Sequence, residues 1–83
     1  MNKYLVDIYL PSISHHYNVY LPCNKNLGEV IGLLIKILES LSGNSFKGTL
    51  HSVLIDAESG HIYNTDLTVS DAGIRNASKL IFI

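Results

Sequence analysis

Cysteine occurs once in this chain, at Cys23, and tryptophan not at all. A lone cysteine excludes an internal disulfide framework and fits a reducing compartment. Charge is sparse: six Lys and Arg stand against seven Asp and Glu, for a net charge of −1. The chain therefore lacks the basic face that a nucleic-acid binder requires, and no nucleic-acid partner is expected. Long apolar runs are also missing. The densest, 30–38, is broken by Gly32 and Lys36 and falls far short of the roughly 20 residues that span a bilayer. Met1 leads straight into a strand pattern, with neither the basic region nor the apolar core of a secretory leader. The expectation is a cytoplasmic protein that reaches a membrane only through partners.

Catalytic signatures are absent as well. There is no Walker loop, dinucleotide fingerprint, zinc-finger spacing or nucleophile motif. Glu29 and Asp71 read as helix-end residues, and Asp56 and Glu58 flank a turn, so the carboxylates form no acid–base pair. His15 and His16 are adjacent, but zinc requires three or four ligands at fixed geometry. Solvated loop histidines are the simpler reading. No catalytic residue, cofactor or metal is expected, and with one small core an enzyme is not expected either.

What is present is a globular composition, 47% hydrophobic in 83 residues, enough for one domain over 1–83 with one core. Residues 3–10 alternate, with Tyr4, Val6, Ile8 and Leu10 on one face and Leu5, Asp7 and Tyr9 on the other. Asp7 decides which face is buried, because an unpaired carboxylate in a core is costly. A turn over 11–15 leads to a second strand, 16–21, with Tyr17, Val19 and Leu21 inward.

Asn26 then offers an N-cap, and Glu29 a capping box. Leu27, Val30, Ile31, Leu34, Leu38 and Leu41 follow helical spacing on one face, and Gly43 supplies a left-handed stop. Leu33 and Ile37 sit off one edge of that face and Ile35 off the other. The simpler reading folds the loop 44–49, with Phe46, over one edge. The alternative makes Leu33 and Ile37 a secondary partner or dimer contact.

A third strand is expected over 50–55 and a short fourth over 61–63, separated by turn residues 56–60. In the closing stretch, Ser70 can cap a brief helical turn, Gly73 suits positive φ, and Ile74 can point into the core. Asn76 and Ser78 mark a tight turn before the apolar strand Leu80-Ile81-Phe82-Ile83.

Val69, Ser70, Asp71, Ile74, Ser78, Leu80 and Phe82 resemble the C-terminal signature of the ubiquitin-like, or β-grasp, superfamily. Within it, the Ser-Asp-x-Gly-Ile form at 70–74 and the spacing of 51–74 are most similar to the YukD/EsaB group, small accessory proteins of type VII (WXG100) secretion systems. The order of elements resembles that superfamily along essentially the whole chain. The resemblance implies an α+β fold, ββαβ(β)β, with a mixed sheet of four to five strands packed on one helix. It also implies that the last strand inserts between the first and third, parallel to the first.

Ubiquitin and its sulfur-carrier relatives act through a C-terminal Gly-Gly tail. None follows Ile83, so conjugation is not expected. The resemblance instead implies a non-conjugated protein-binding module, an accessory or regulatory component of a type VII secretion system, with secretion-machinery membrane subunits as partners. The sheet face away from the helix is expected to carry Leu5, Tyr9, Leu54, Ile81 and Ile83. Leu54 and Ile83 resemble positions of ubiquitin's apolar recognition patch, and Ile13 would extend it. Of the basic residues that flank that patch in ubiquitin, only Arg75 and Lys79 have counterparts nearby. Three alternatives remain at this point: a domain of a larger membrane subunit, a modifier or sulfur carrier lacking its tail, and a homodimer that uses one of these surfaces as its own interface.

Overall fold

The computed structural model describes residues 2–49 and 51–83. Five main elements build the domain: β1 (Lys3–Leu10), β2 (His15–Pro22), α1 (Leu27–Leu41), β3 (Leu54–Asp56) and β4 (Lys79–Phe82). The sheet order is β2-β1-β4-β3. β1 pairs antiparallel with β2, and β4 runs parallel to β1 and antiparallel to β3. The architecture is thus α+β, a mixed four-stranded sheet covered on one face by a helix, with the last strand in the interior as the resemblance implies.

Alternation along β1 puts Val6, Ile8 and Leu10 in the core and leaves Asp7 on the opposite face. Val19 and Leu21 of β2, Leu80 and Phe82 of β4, and Leu27, Val30, Leu34 and Leu38 of α1 complete the packed layer. A one-turn 3-10 helix, Pro11–Ile13, joins β1 to β2, and Ser14 takes the left-handed conformation after it.

Asn26 caps α1 by accepting a hydrogen bond from the Glu29 N–H at 3.0 Å. The Glu29 carboxylate faces Lys25 Nζ at 3.8 Å instead of closing the box. Two of the orphan donors at this helix start are met by the later chain: Leu27 N–H donates to Leu67 O and Gly28 N–H to Thr65 O. Val69 N–H and Ser70 N–H donate in return to Lys25 O and Cys23 O, clamping 65–70 onto the start of α1. Gly43 and Asn44 both carry positive φ past the helix end. Phe46 is buried against Phe82, ring centroids 5.7 Å apart, and Gly48 packs against Ile35, so the loop folds over one edge of α1, the Ile35 edge, and leaves Leu33 and Ile37 exposed. Leu41, expected inward, is 53% exposed at the last helical position.

Three expectations are corrected. The third strand begins later than 50–55, because Thr49 and Ser52 form a turn of their own: Ser52 N–H donates to Thr49 O and Thr49 N–H to Ser52 Oγ. Leu50, the expected first residue of that strand, lies outside the described residues. The fourth strand reduces to a single bridge between Ile55 and Ile62. Asp56 folds 56–60 tightly, accepting from Glu58 N–H and Ser59 Oγ, and an Asn64 side-chain turn then diverts the chain. The turn after Val69 is capped by Thr68, whose Oγ1 accepts from Asp71 N–H at 3.0 Å, and not by Ser70. Gly73 does adopt positive φ there, and Ile74 is fully buried.

Candidate docking face

Among the described residues no element forms a second layer on the sheet face opposite α1, and strand register orders that face into rows. Opposed residues in adjacent strands point to the same face. One row runs His16, Tyr9, Ile81, Ile55, each the register partner of the next. The bridge to Ile62, which is 56% exposed, continues it. Beyond it lies a pair formed by Ile83 and Val53, which exchange backbone hydrogen bonds of 2.8 and 3.1 Å. The next row in the other direction is polar: Asn18, Asp7 and Lys79. Past that row, Leu5 opposes Tyr20.

The expected residues therefore separate. Tyr9, Ile81 and Ile83 belong to one contiguous apolar area. Leu5 stands apart across the Asp7 row, where with Tyr20, Lys3, Lys79 and the 76–77 turn it lines an open groove of about 690 Å³. Leu54 is corrected outright: it is 1% exposed and pairs with Phe82 inside the core. Its neighbour Ile55 holds the outward position. In a strand a one-residue shift exchanges the two faces, and the apolar run Val53-Leu54-Ile55 offers no polar residue to set the phase. Ile13 is half-buried against the core from the β1–β2 turn and does not extend the open face. Leu33 and Ile37 are exposed on α1, away from the sheet's open face.

Asp7 receives the imidazole of His16, Nδ1 to Oδ2 being 2.9 Å. The Tyr9 ring lies 4.5 Å from the His16 ring, centroid to centroid. His15 points to the other face, with its ring against Tyr17, so alternation parts the two histidines. Asp7 is thereby engaged within the sheet, and the row on either side of Ile81 carries no carboxylate. The side chains at this face can supply apolar contact area and aromatic edges. The sequence missed Ile55, Ile62 and Val53, and the signal that locates them is register with β4, which is a long-range property.

Among the described residues no helix is long and apolar enough to cross a membrane. No family model matches the chain, and no curated protein matches it. Solved structures do. The chain superposes over its full length on the ubiquitin-like domain of EccD5 from Mycobacterium xenopi, with a TM-score of 0.82, 13% identity and 94% of that chain covered. It is similar over its full length to part of the MycP5-free ESX-5 inner membrane complex, with a TM-score of 0.81 and 11% identity, there covering 21% of that chain. It is also similar to the N-terminal ubiquitin-like domain of the 4931431F19Rik protein, with a TM-score of 0.76, 20% identity, and 99% and 74% of the two chains covered. These likenesses establish the ubiquitin-like β-grasp fold.

Proposed function

We propose that this chain is a non-catalytic, non-conjugated ubiquitin-like module that docks a protein partner in a type VII secretion apparatus, at the cytoplasmic face of the membrane. The observation that carries the reading is the single-layered sheet. Half-buried Tyr9, Ile55 and Ile81 and exposed Ile83 form an apolar area that no described element covers. Unpartnered apolar area of this kind is the usual mark of an interface. The choice of a secretion apparatus is supported by the fit to the EccD5 domain and to the ESX-5 inner membrane complex. The second of these also favours a specific variant, in which such a domain is part of a larger membrane subunit, since the matched chain is several times longer than the region matched.

The test is affinity capture from detergent-solubilised cells of the source organism, with wild type and Ile81→Asp as baits. Ile81 lies on the open face, so the variant should fold. Secretion-apparatus subunits retained by wild type and lost with Ile81→Asp are the expected result. Equal capture by both baits would remove the open face from the account. A covalent ladder on the bait would replace the docking reading with a modifier or carrier.

A further inference from the structure

The two edges of the sheet are treated differently. At the β3 edge the chain covers itself: Asp56 N–H donates to His61 O and Tyr63 N–H to Leu54 O. At the β2 edge no described residue does. The phase of the ladder identifies the bare groups. Leu5 and Asp7 turn their N–H groups toward the β4 side, and Cys23 N–H donates to Asn2 O. In an antiparallel pair the pattern alternates, so odd residues of β2 bond to β1 and even residues face outward. His16, Asn18 and Tyr20 thus present free N–H and C=O groups along the edge. Pro22, with no N–H to offer, falls at the outward phase too, where proline is tolerated.

Monomeric proteins protect such edges with lysine, proline, bulges or short length. Of these β2 has only the proline at its last position. It is eight residues long, unbulged against β1, and HHYNVYLP contains no lysine, arginine or carboxylate. Beside it α1 leaves an uncovered apolar flank at four-residue spacing: Leu33, Ile37 and Leu41, 45%, 41% and 53% exposed. Tyr17 Oη donates to Leu41 O at 3.5 Å, tying that flank to β2.

We propose that β2 pairs antiparallel with β2 of a second copy, about a two-fold axis through Asn18. A two-fold axis normal to the sheet must match residues of the same face, and centring it on Asn18 matches all three bare N–H groups and leaves only the Pro22 carbonyl to solvent. Asn18 exchanges both backbone bonds with the partner's Asn18, and His16 and Tyr20 exchange theirs with the partner's Tyr20 and His16. All three donors on each copy are met, as are three of its four outward carbonyls. The interface is isologous, and the same operation brings the two Leu33–Ile37–Leu41 flanks toward each other across the joined eight-stranded sheet. Because the strand carries no lysine, arginine or carboxylate, like meets like without a clash of fixed charges, which is what favours a second copy over a charged partner segment. The contact strip is about 27 Å long and smaller than the roughly 800 Å² per partner of a standard interface, so association is concentration-dependent.

The experiment is sedimentation equilibrium from low micromolar to millimolar protein. Wild type should rise from 9.2 kDa toward twice that mass. Asn18→Pro removes one outward N–H and no bond to β1, so it should retain the wild-type circular dichroism while its association constant falls at least tenfold. Ile37→Lys, on the helix flank, should weaken association similarly and serves as the second probe if the proline variant is poorly folded. A wild-type protein that stays at 9.2 kDa at the highest concentration would overturn the proposal. So would a dimer that survives both substitutions.

Discussion

The side chain of Asn76 stands in for a strand: its Oδ1 accepts the Leu5 N–H at 2.9 Å, and the next residue, Ala77, donates its N–H to Leu5 O at 2.8 Å. β4 begins only at Lys79, so without this turn the first half of β1 would have bare backbone on its inner side. Ala77 accepts a left-handed φ of 69° to make the contact, and Ser78 Oγ locks the turn by accepting from Arg75 N–H. Asn76→Ala should therefore destabilise the fold by about 1 kcal/mol, the usual net value of a hydrogen bond. Asn76→Asp, which keeps an acceptor, should cost less. Urea unfolding of the two variants against wild type measures the difference.

Leu54 and Ile55 are adjacent but face opposite ways. Leu54→Ala should cost about 2–5 kcal/mol, as for other buried leucines, and Leu54→Asp should abolish folding. Ile55→Asp, on the open face, should leave the melting temperature within a few degrees of wild type. The reverse ranking in thermal melts would place the wrong residue in the core.

Gly48 has no room for a side chain. A Cβ there would lie 2.5 Å from Ile35 Cγ1 and 3.0 Å from Ile35 Cβ. The loop that carries Gly48 is held by its N–H donating to Glu39 Oε2 at 3.1 Å. Gly48→Ala should destabilise by about 1–3 kcal/mol through overpacking. Combined with Ile35→Ala, most of that penalty should vanish, and a double-mutant cycle in denaturant reads the coupling.

Tyr63 ionises above the ordinary tyrosine value near 10, chiefly because burial disfavours the phenolate and further because Asp56 and Glu58 repel it. The folded state thus holds the proton more tightly than the unfolded chain. The contribution to stability is fully present below the unfolded value and is lost as pH rises through the folded one. Stability should fall in alkali beyond about pH 10. Tyr63→Phe should flatten that decline and remove one step of tyrosinate absorbance in the alkaline range. An unchanged profile in Tyr63→Phe would assign the effect elsewhere.

Much of this fold is legible along the chain. The Asn26 cap, the spacing of Leu27, Val30, Leu34 and Leu38, and the phase of β1 set by Asp7 are local facts, decided by residues within a turn or two of one another. Gly43 and Gly73 likewise fall where positive φ is required. That the loop after the helix folds over one of its edges is local as well, since Phe46 follows the helix within a few residues.

The docking face is different. Its members come from β1, β3 and β4, whose mutual register is settled by pairing across dozens of residues. Nothing between Val53 and Ile55 announces which side faces inward. Leu54 takes the core because Phe82 opposes it there, and Phe82 is in turn held by Phe46. The fourth strand dissolved for a related reason: three residues with strand propensity cannot hold a ladder when Asp56 and Asn64 tighten the turns at either end.

By itself, then, the sequence determined the order of the helix and the main strands, the helix with its Asn26 cap and Gly43 stop, and the inward faces of β1 and β2, since alternation, helical spacing and the cost of burying a charge act over short distances. Only the tertiary structure decided which of two neighbouring apolar residues in β3 is buried, that Leu5 is parted from Tyr9 and Ile81 by a polar row, and that one sheet edge is covered while the other is bare. Those outcomes depend on hydrogen-bond register between distant segments, and a register is a property of the pair of strands and not of either one.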